Sequence, residues 1–176
     1  MRLFVGIALN DEARDALRIA TERMRKEVSG RYVPPRLYHI TLAFLGELDA
    51  GRLDDVRAAM DDAALGFLTT AVALSKLGYF GKIENAILYC GVSGAQVLDR
   101  MAGALKRALT AHELTYDEKP FRAHITLARR VFATEALLDT PVDPVSFHVD
   151  GFMLFHSCRV DGELRYLPIH TSAFPR

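Results

Sequence analysis

The chain is 176 residues long, 50% of them apolar and 25% charged, which is enough for one domain or for two small lobes around a shared core. Its 22 basic and 22 acidic residues cancel to a net charge of zero. That excludes a protein-wide field for steering polyanions, so any contact with nucleic acid rests on a local basic patch.

Arg2 to Leu9 is apolar and β-rich and predicts a buried strand. It carries one positive charge, is too short to span a membrane and lacks a cleavage site, so it reads as a strand rather than a signal. Asn10 is placed to cap a following helix, with Asp11 and Glu12 at its positive end. Ala13, Ala16, Leu17, Ala20 and Met24 recur at helical spacing, and Ser29-Gly30 is expected to end the helix. Pro34-Pro35 predicts an extended lead into a strand that holds His39-Ile40-Thr41-Leu42 and closes at Gly46. A second helix is expected from about Arg52 to Ala64 and a strand from about Thr69 to Leu77.

The pattern then restarts. Asn85 to Val92 reads as another buried strand, and Ser93 with Gln96 as a capping box. Leu98, Met101, Ala102, Leu105 and Leu109 form a helical stripe, and Pro120 precedes a second His-Ile-Thr-Leu strand from His124. Strand, helix and tetrapeptide strand thus occur twice, the tetrapeptides 85 positions apart, which predicts a duplicated half-domain related by a pseudo-two-fold. In the tail, the stretch from Ser146 to Ser157 and the stretch from Glu163 to His170 read as two strands around an Asp161-Gly162 hairpin turn. The segment around Pro144 reads as a loop. Cys90 and Cys158 lie far apart in apolar runs. They form no CxxC site or disulfide framework and are expected to be buried thiols in a reducing cytoplasm.

Side chains alternate along a strand. Ile40, Leu42 and Phe44 are therefore expected on one face and His39 with Thr41 on the other. In the second copy Ile125 and Leu127 face the core, and His124 with Thr126 point away from it. Each imidazole and its hydroxyl then stand about 7 Å apart at the backbone, at roughly 3.3 Å of rise per residue. A two-fold relation makes the two pairs face each other across a cleft. Two imidazoles and two hydroxyls around one pocket suit a phosphodiester: one neutral ring takes a proton from water, and one protonated ring gives a proton to the departing oxygen. The hydroxyls bind the non-bridging oxygens. The other histidines read as structural. His112 ends a helix, where a cation is favoured, and His148, His156 and His170 have no partner nameable from sequence. Two histidines on separate strands could also bind zinc, but no HxH or HExxH spacing exists and no Cys or Asp adjoins either motif. No metal and no cofactor is expected.

On these residues the chain resembles the two-histidine (2H) phosphoesterases. The likeness is strongest to the bacterial RNA 2′,3′-cyclic phosphodiesterases, also called 2′-5′ RNA ligase-like proteins. It covers nearly the whole chain through RLFVGIAL, YHITLAFLGE, PFRAHITLARR and FMLFHSCRVDGELRYLPI. The resemblance implies an α+β, duplicated bilobal fold with two antiparallel sheets flanking a central cleft and helices outside. It implies hydrolysis of a terminal 2′,3′-cyclic phosphate to a 2′-phosphomonoester. His39 would be the proton donor to the 3′ oxygen and His124 the proton acceptor, with Thr41 and Thr126 holding the phosphate. Arg129 matches an arginine that follows the second motif in relatives, although regular alternation puts it on the wrong face unless a bulge or the strand's end turns it inward. Ala123 departs from the proline common before the second histidine; proline would fix φ there.

Some relatives join tRNA halves reversibly through a 2′-5′ bond without ATP, and nothing here resembles a P-loop. The expected partners are RNA ends bearing a 2′,3′-cyclic phosphate, tRNA halves among them. A cytoplasmic monomer without membrane contact is expected. Arg31, Tyr32, Arg36 and Tyr38 lie before the first motif, and Arg122, Arg129 and Arg130 around the second. Of these, Arg129, Arg36, Tyr38 and Arg122 are the candidates to bind substrate, holding a strand end and stacking its base. Tyr79 and Phe80 form a second candidate stacking site, or are simply turn residues. Two alternatives stay open: a 2H enzyme acting on a small cyclic nucleotide or a 2′-5′ oligonucleotide, and an RNA-end binding module without turnover, against which the intact His and Thr residues argue.

Overall fold

The structure, a computed structural model, describes residues 1–175. In chain order its elements are β1 (Arg2–Ala8), α1 (Asp11–Met24), β2 (Arg31–Tyr32), β3 (His39–Glu47), α2 (Leu53–Ala64), β4 (Thr70–Phe80), β5 (Ala86–Ser93), α3 (Ala95–Ala111), β6 (His124–Val131), α4 (Glu135–Leu138), β7 (Ser146–Val149), β8 (Gly151–Val160) and β9 (Glu163–Ala173). The strands run in the order β7-β4-β5-β6-β3-β1-β8-β9, with β2 on β6. Every pairing is antiparallel. The two tetrapeptide strands, β3 and β6, are the middle pair. Each is flanked outward by the strand that precedes its helix, β1 on one side and β5 on the other.

The helices cover one face of this curled sheet, and their apolar stripes are the core. Leu17 of α1 and Leu98, Met101, Leu105 and Leu109 of α3 have no solvent exposure, each such burial being worth about 1.5–3 kcal/mol. The Asn10 side chain accepts the Ala13 N–H at 2.9 Å and caps α1. Asp161 and Gly162 both take positive φ (51° and 79°) and close the β8–β9 hairpin, as a two-residue primed turn requires. No helix among the described residues is long and apolar enough to cross a membrane.

Several boundaries differ from the sequence reading. α1 stops at Met24, ahead of Ser29-Gly30, because Arg25, Lys26 and Glu27 are exposed and offer no apolar face to bury. After an extended Pro34, Pro35–Leu37 forms a single 3-10 turn, a place where proline's fixed φ is suitable. The expected capping box before α3 does not form. Ser93 is still part of β5, where its Oγ accepts the Ala73 N–H at 3.1 Å, and Gly94 occupies the N-cap with φ +76°. The tail stretch from Ser146 to Ser157 is two strands. Phe147 and Val149 are buried, then Phe152 and Leu154, a phase change of one residue at Asp150. Here the chain leaves β4, the partner of β7, for β1, the partner of β8.

Candidate active site

The site is shaped by one irregularity that occurs twice. Against β1, Val5 pairs with Ala43 and Gly6 with Thr41, so Leu42 is an extra residue. Against β5, Leu88 pairs with Ala128 and Tyr89 with Thr126, so Leu127 is an extra residue. A bulge of this kind shifts the side-chain alternation by one. Leu42 and Ala43 are consecutively buried, as are Leu127 and Ala128. Beyond each bulge the next side chain returns to the face that carries the histidine. Phe44 is thus not in the core with Ile40 and Leu42 but on the cleft side, 49% exposed. Arg129 is turned to the cleft by the same device. Gly6 lies where β1 approaches the first bulge; a Cβ there would sit 2.5 Å from the Ile40 carbonyl oxygen.

β3 and β6 meet at the pair Ile40↔Ile125. The antiparallel register through that pair sets His39 opposite Thr126 and Thr41 opposite His124, all on the face away from the two isoleucines. The histidines therefore stand on one diagonal of a four-cornered cluster and the threonines on the other, diagonal neighbours in such a pair lying about 7–8 Å apart with their Cβ atoms somewhat closer. The rings are oriented alike. His39 Nδ1–H donates to the Leu37 carbonyl at 2.7 Å and His124 Nδ1–H to the Arg122 carbonyl at 2.6 Å. A carbonyl only accepts, so Nδ1 carries the proton in both rings and Nε2 is the unprotonated nitrogen of the neutral imidazole. At His39, Nε2 lies 2.8 Å from Thr41 Oγ1, whose hydroxyl donates to it while the ring is neutral.

The surroundings of the two rings differ. His39 is packed among Phe4 (centroids 4.7 Å apart), Tyr166 (5.1 Å, edge-on) and Phe155 (6.4 Å). Burial, followed by the charges of His124 and Arg129 and against the Leu37 hydrogen bond, lowers its pKa to about 4. His124 has Phe80 edge-on at 4.9 Å and Tyr89 at 5.7 Å. Its pKa is also lowered, first by burial and then by Arg129 and Arg122. Phe80 and Tyr89 stack at 4.3 Å, and Tyr89 lies across Gly78, where a Cβ would meet its hydroxyl at 2.5 Å.

The remaining sequence candidates divide. Arg122 reaches the site: its guanidinium lies 5.6 Å from the Phe80 ring centroid, and it lines a recess of about 180 Å³ together with Thr41, Phe44 and His124. Tyr38 does not, which corrects the expectation that it binds substrate. It is 3% exposed, points opposite to His39, and hydrogen-bonds Thr21 of α1 at 3.2 Å. Arg36 is paired with Glu163 at 3.2 Å and lines none of the cavities beside the histidines. Tyr32 bonds the Val28 carbonyl under Arg25, and Arg130 is an exposed residue with φ +57°. Phe80 reaches His124, while Tyr79 packs on the core.

His112 and His170 pair with Asp62 and Asp61 of α2. Cys90 is buried, its thiol pushed up to about 11 by burial. Cys158 is not: it is half-buried in a groove wall. Among the described residues no three of His, Cys, Asp and Glu cluster as a metal site. Sequence reasoning missed Phe4 and Tyr166, whose only signal was the quoted N-terminal and C-terminal segments.

Two His-x-Thr strands meeting at the centre of a curled antiparallel sheet, with helices on its other face, define a two-histidine phosphoesterase. The model of the 2′-5′ RNA ligase superfamily matches residues 13–161, and the chain belongs to that superfamily. It is similar to a Thermus thermophilus protein named RNA 2′,3′-cyclic phosphodiesterase, 32% identical over 169 residues that cover 89% of this chain and 82% of the relative. A Thermotoga maritima protein of the same name is 26% identical over 163 residues, 89% of this chain and 87% of the relative. A crystal structure from Thermus thermophilus superposes with a TM-score of 0.83 at 28% identity, over 99% of this chain and 98% of that one.

Proposed function

We propose that the chain is an RNA 2′,3′-cyclic phosphodiesterase, hydrolysing a terminal cyclic phosphate to a 2′-phosphomonoester by acid–base catalysis between His39 and His124. The observation that carries this reading is the diagonal arrangement of the two rings, each held by its Nδ1–H so that Nε2 is the unprotonated nitrogen. The names of the relatives support the substrate class.

In the reaction, neutral His124 takes a proton from water as the water oxygen bonds phosphorus. The bond from phosphorus to the ribose 3′ oxygen breaks on the opposite side, and protonated His39 gives its proton to that oxygen. Thr41 and Thr126, on the other diagonal, donate to the non-bridging oxygens, and Arg129 balances their charge. Because burial keeps His39 neutral in the free enzyme at pH 7, its proton is held only once the phosphate anion is bound. An RNA 5′-hydroxyl in place of water would form a 2′-5′ joint by the same displacement. The two lobes act as one domain, since each supplies half of the cluster.

The test is a product assay on an oligoribonucleotide ending in a 2′,3′-cyclic phosphate, in the presence of EDTA. A 2′-phosphate is expected. A 3′-phosphate, or no turnover, would refute the reading.

A further inference from the structure

A groove of about 910 Å³ opens beside the histidines, lined by β1, β3, β6, β8 and β9 and by the segment that follows α3. This is near the top of the roughly 300–1,000 Å³ range of small-ligand pockets, and it lies to one side of the four-cornered cluster. Phe4 and Tyr166, which pack against His39, are also its wall. Arg2, Arg129 and Arg159 line it, and among the described residues none has a carboxylate oxygen within 4 Å. The acid in the wall, Asp117, is paired with Lys119 at 2.9 Å. A chain with zero net charge has thus concentrated uncompensated positive charge along one groove. The Arg159 guanidinium is steadied by donating to the Gly162 carbonyl at 2.6 Å. Phe44, brought to this side by the Leu42 bulge, offers an exposed ring at the groove's near edge.

We propose that this groove binds the nucleotide upstream of the reacting end, with its internucleotide phosphate on Arg2 and Arg159 and a base against Phe44. The enzyme is thereby specific for RNA ends over cyclic mononucleotides. The inference rests on the reaction proposed above. His39 protonates the ribose oxygen, so the ribose and the chain attached to it lie on the His39 side, while water enters on the His124 side. The wall of His39 leads directly into the groove. Cationic side chains give such contacts a salt-dependent affinity, and a ring stacks any base.

The experiment compares ApA ending in a 2′,3′-cyclic phosphate with 2′,3′-cyclic AMP. The wild type is expected to favour the dinucleotide by about tenfold or more in kcat/KM. Arg2→Gln/Arg159→Gln should raise KM for the dinucleotide, lose at least tenfold more kcat/KM on it than on the mononucleotide, and flatten its salt dependence. Equal efficiency of the wild type on both substrates, or equal losses in the variant, overturns the groove assignment. If neither substrate is turned over, the phosphodiesterase reading fails on its own. The groove is then judged by the affinities of ApA 2′-phosphate and 2′-AMP, where equality overturns it and weaker dinucleotide binding by the double variant supports it.

Discussion

Ile40 of β3 and Ile125 of β6 face each other as the paired position between the two halves of the sheet, and neither has any solvent exposure. Their pairing sets the register of the whole cluster. Ile125→Ala should cost about 2–5 kcal/mol of stability and, at temperatures where the variant is folded, lower kcat more than it raises KM. Urea melts with steady-state kinetics check both. A destabilised variant with unchanged kcat would show that the register is held elsewhere.

His39→Ala and His124→Ala should each reduce kcat by about 10²–10⁴-fold on an RNA cyclic phosphate end. Circular dichroism should show the fold retained. Near-normal turnover by either variant would remove that ring from the mechanism.

In the proposed mechanism Thr41→Val and Thr126→Val would each delete a donor to an anionic phosphate oxygen, an interaction worth about 1.5–3 kcal/mol. A loss in kcat/KM of about 10–100-fold is expected. Thr41→Val also removes the hydroxyl 2.8 Å from His39 Nε2, so its pH profile should shift while that of Thr126→Val does not. Matching profiles would argue against the His39–Thr41 hydrogen bond.

In the free enzyme His39 titrates at about 4 and His124 below its usual 6.5. The kcat/KM profile should therefore be a bell with its maximum below pH 6.5. A bound phosphate anion favours both imidazolium forms, so the kcat bell should lie at higher pH than the kcat/KM bell. Superimposable bells would contradict this.

The same burial has a cost in acid. A ring whose folded pKa is lowered from 6.5 to about 4 stabilises the fold fully above pH 6.5. That stability is lost as pH falls towards 4, because over this window the unfolded chain binds more protons. The loss is on the order of 3 kcal/mol. Urea melts at pH 7 and pH 4.5 should show a larger drop for the wild type than for His39→Gln; equal drops would place the acid sensitivity in other groups.

Local patterns determined much of this protein. The helical stripes ending in Met24 and Leu109, the Asp161-Gly162 hairpin and the duplicated His-x-Thr strands all lie in spacings of two to four residues, which record which side chains share a face. The tertiary structure decided which face that is after a bulge, and what stands next to it. Leu42 and Leu127 become extra residues only against β1 and β5, and so Phe44 and Arg129 return to the cleft. Tyr38 is taken into the core by Thr21. Phe4 and Tyr166, which come from opposite ends of the chain, are placed beside His39 by the β1–β8–β9 pairing. Register between distant strands is set by their mutual fit rather than by either strand alone, so these positions were not legible from local spacing.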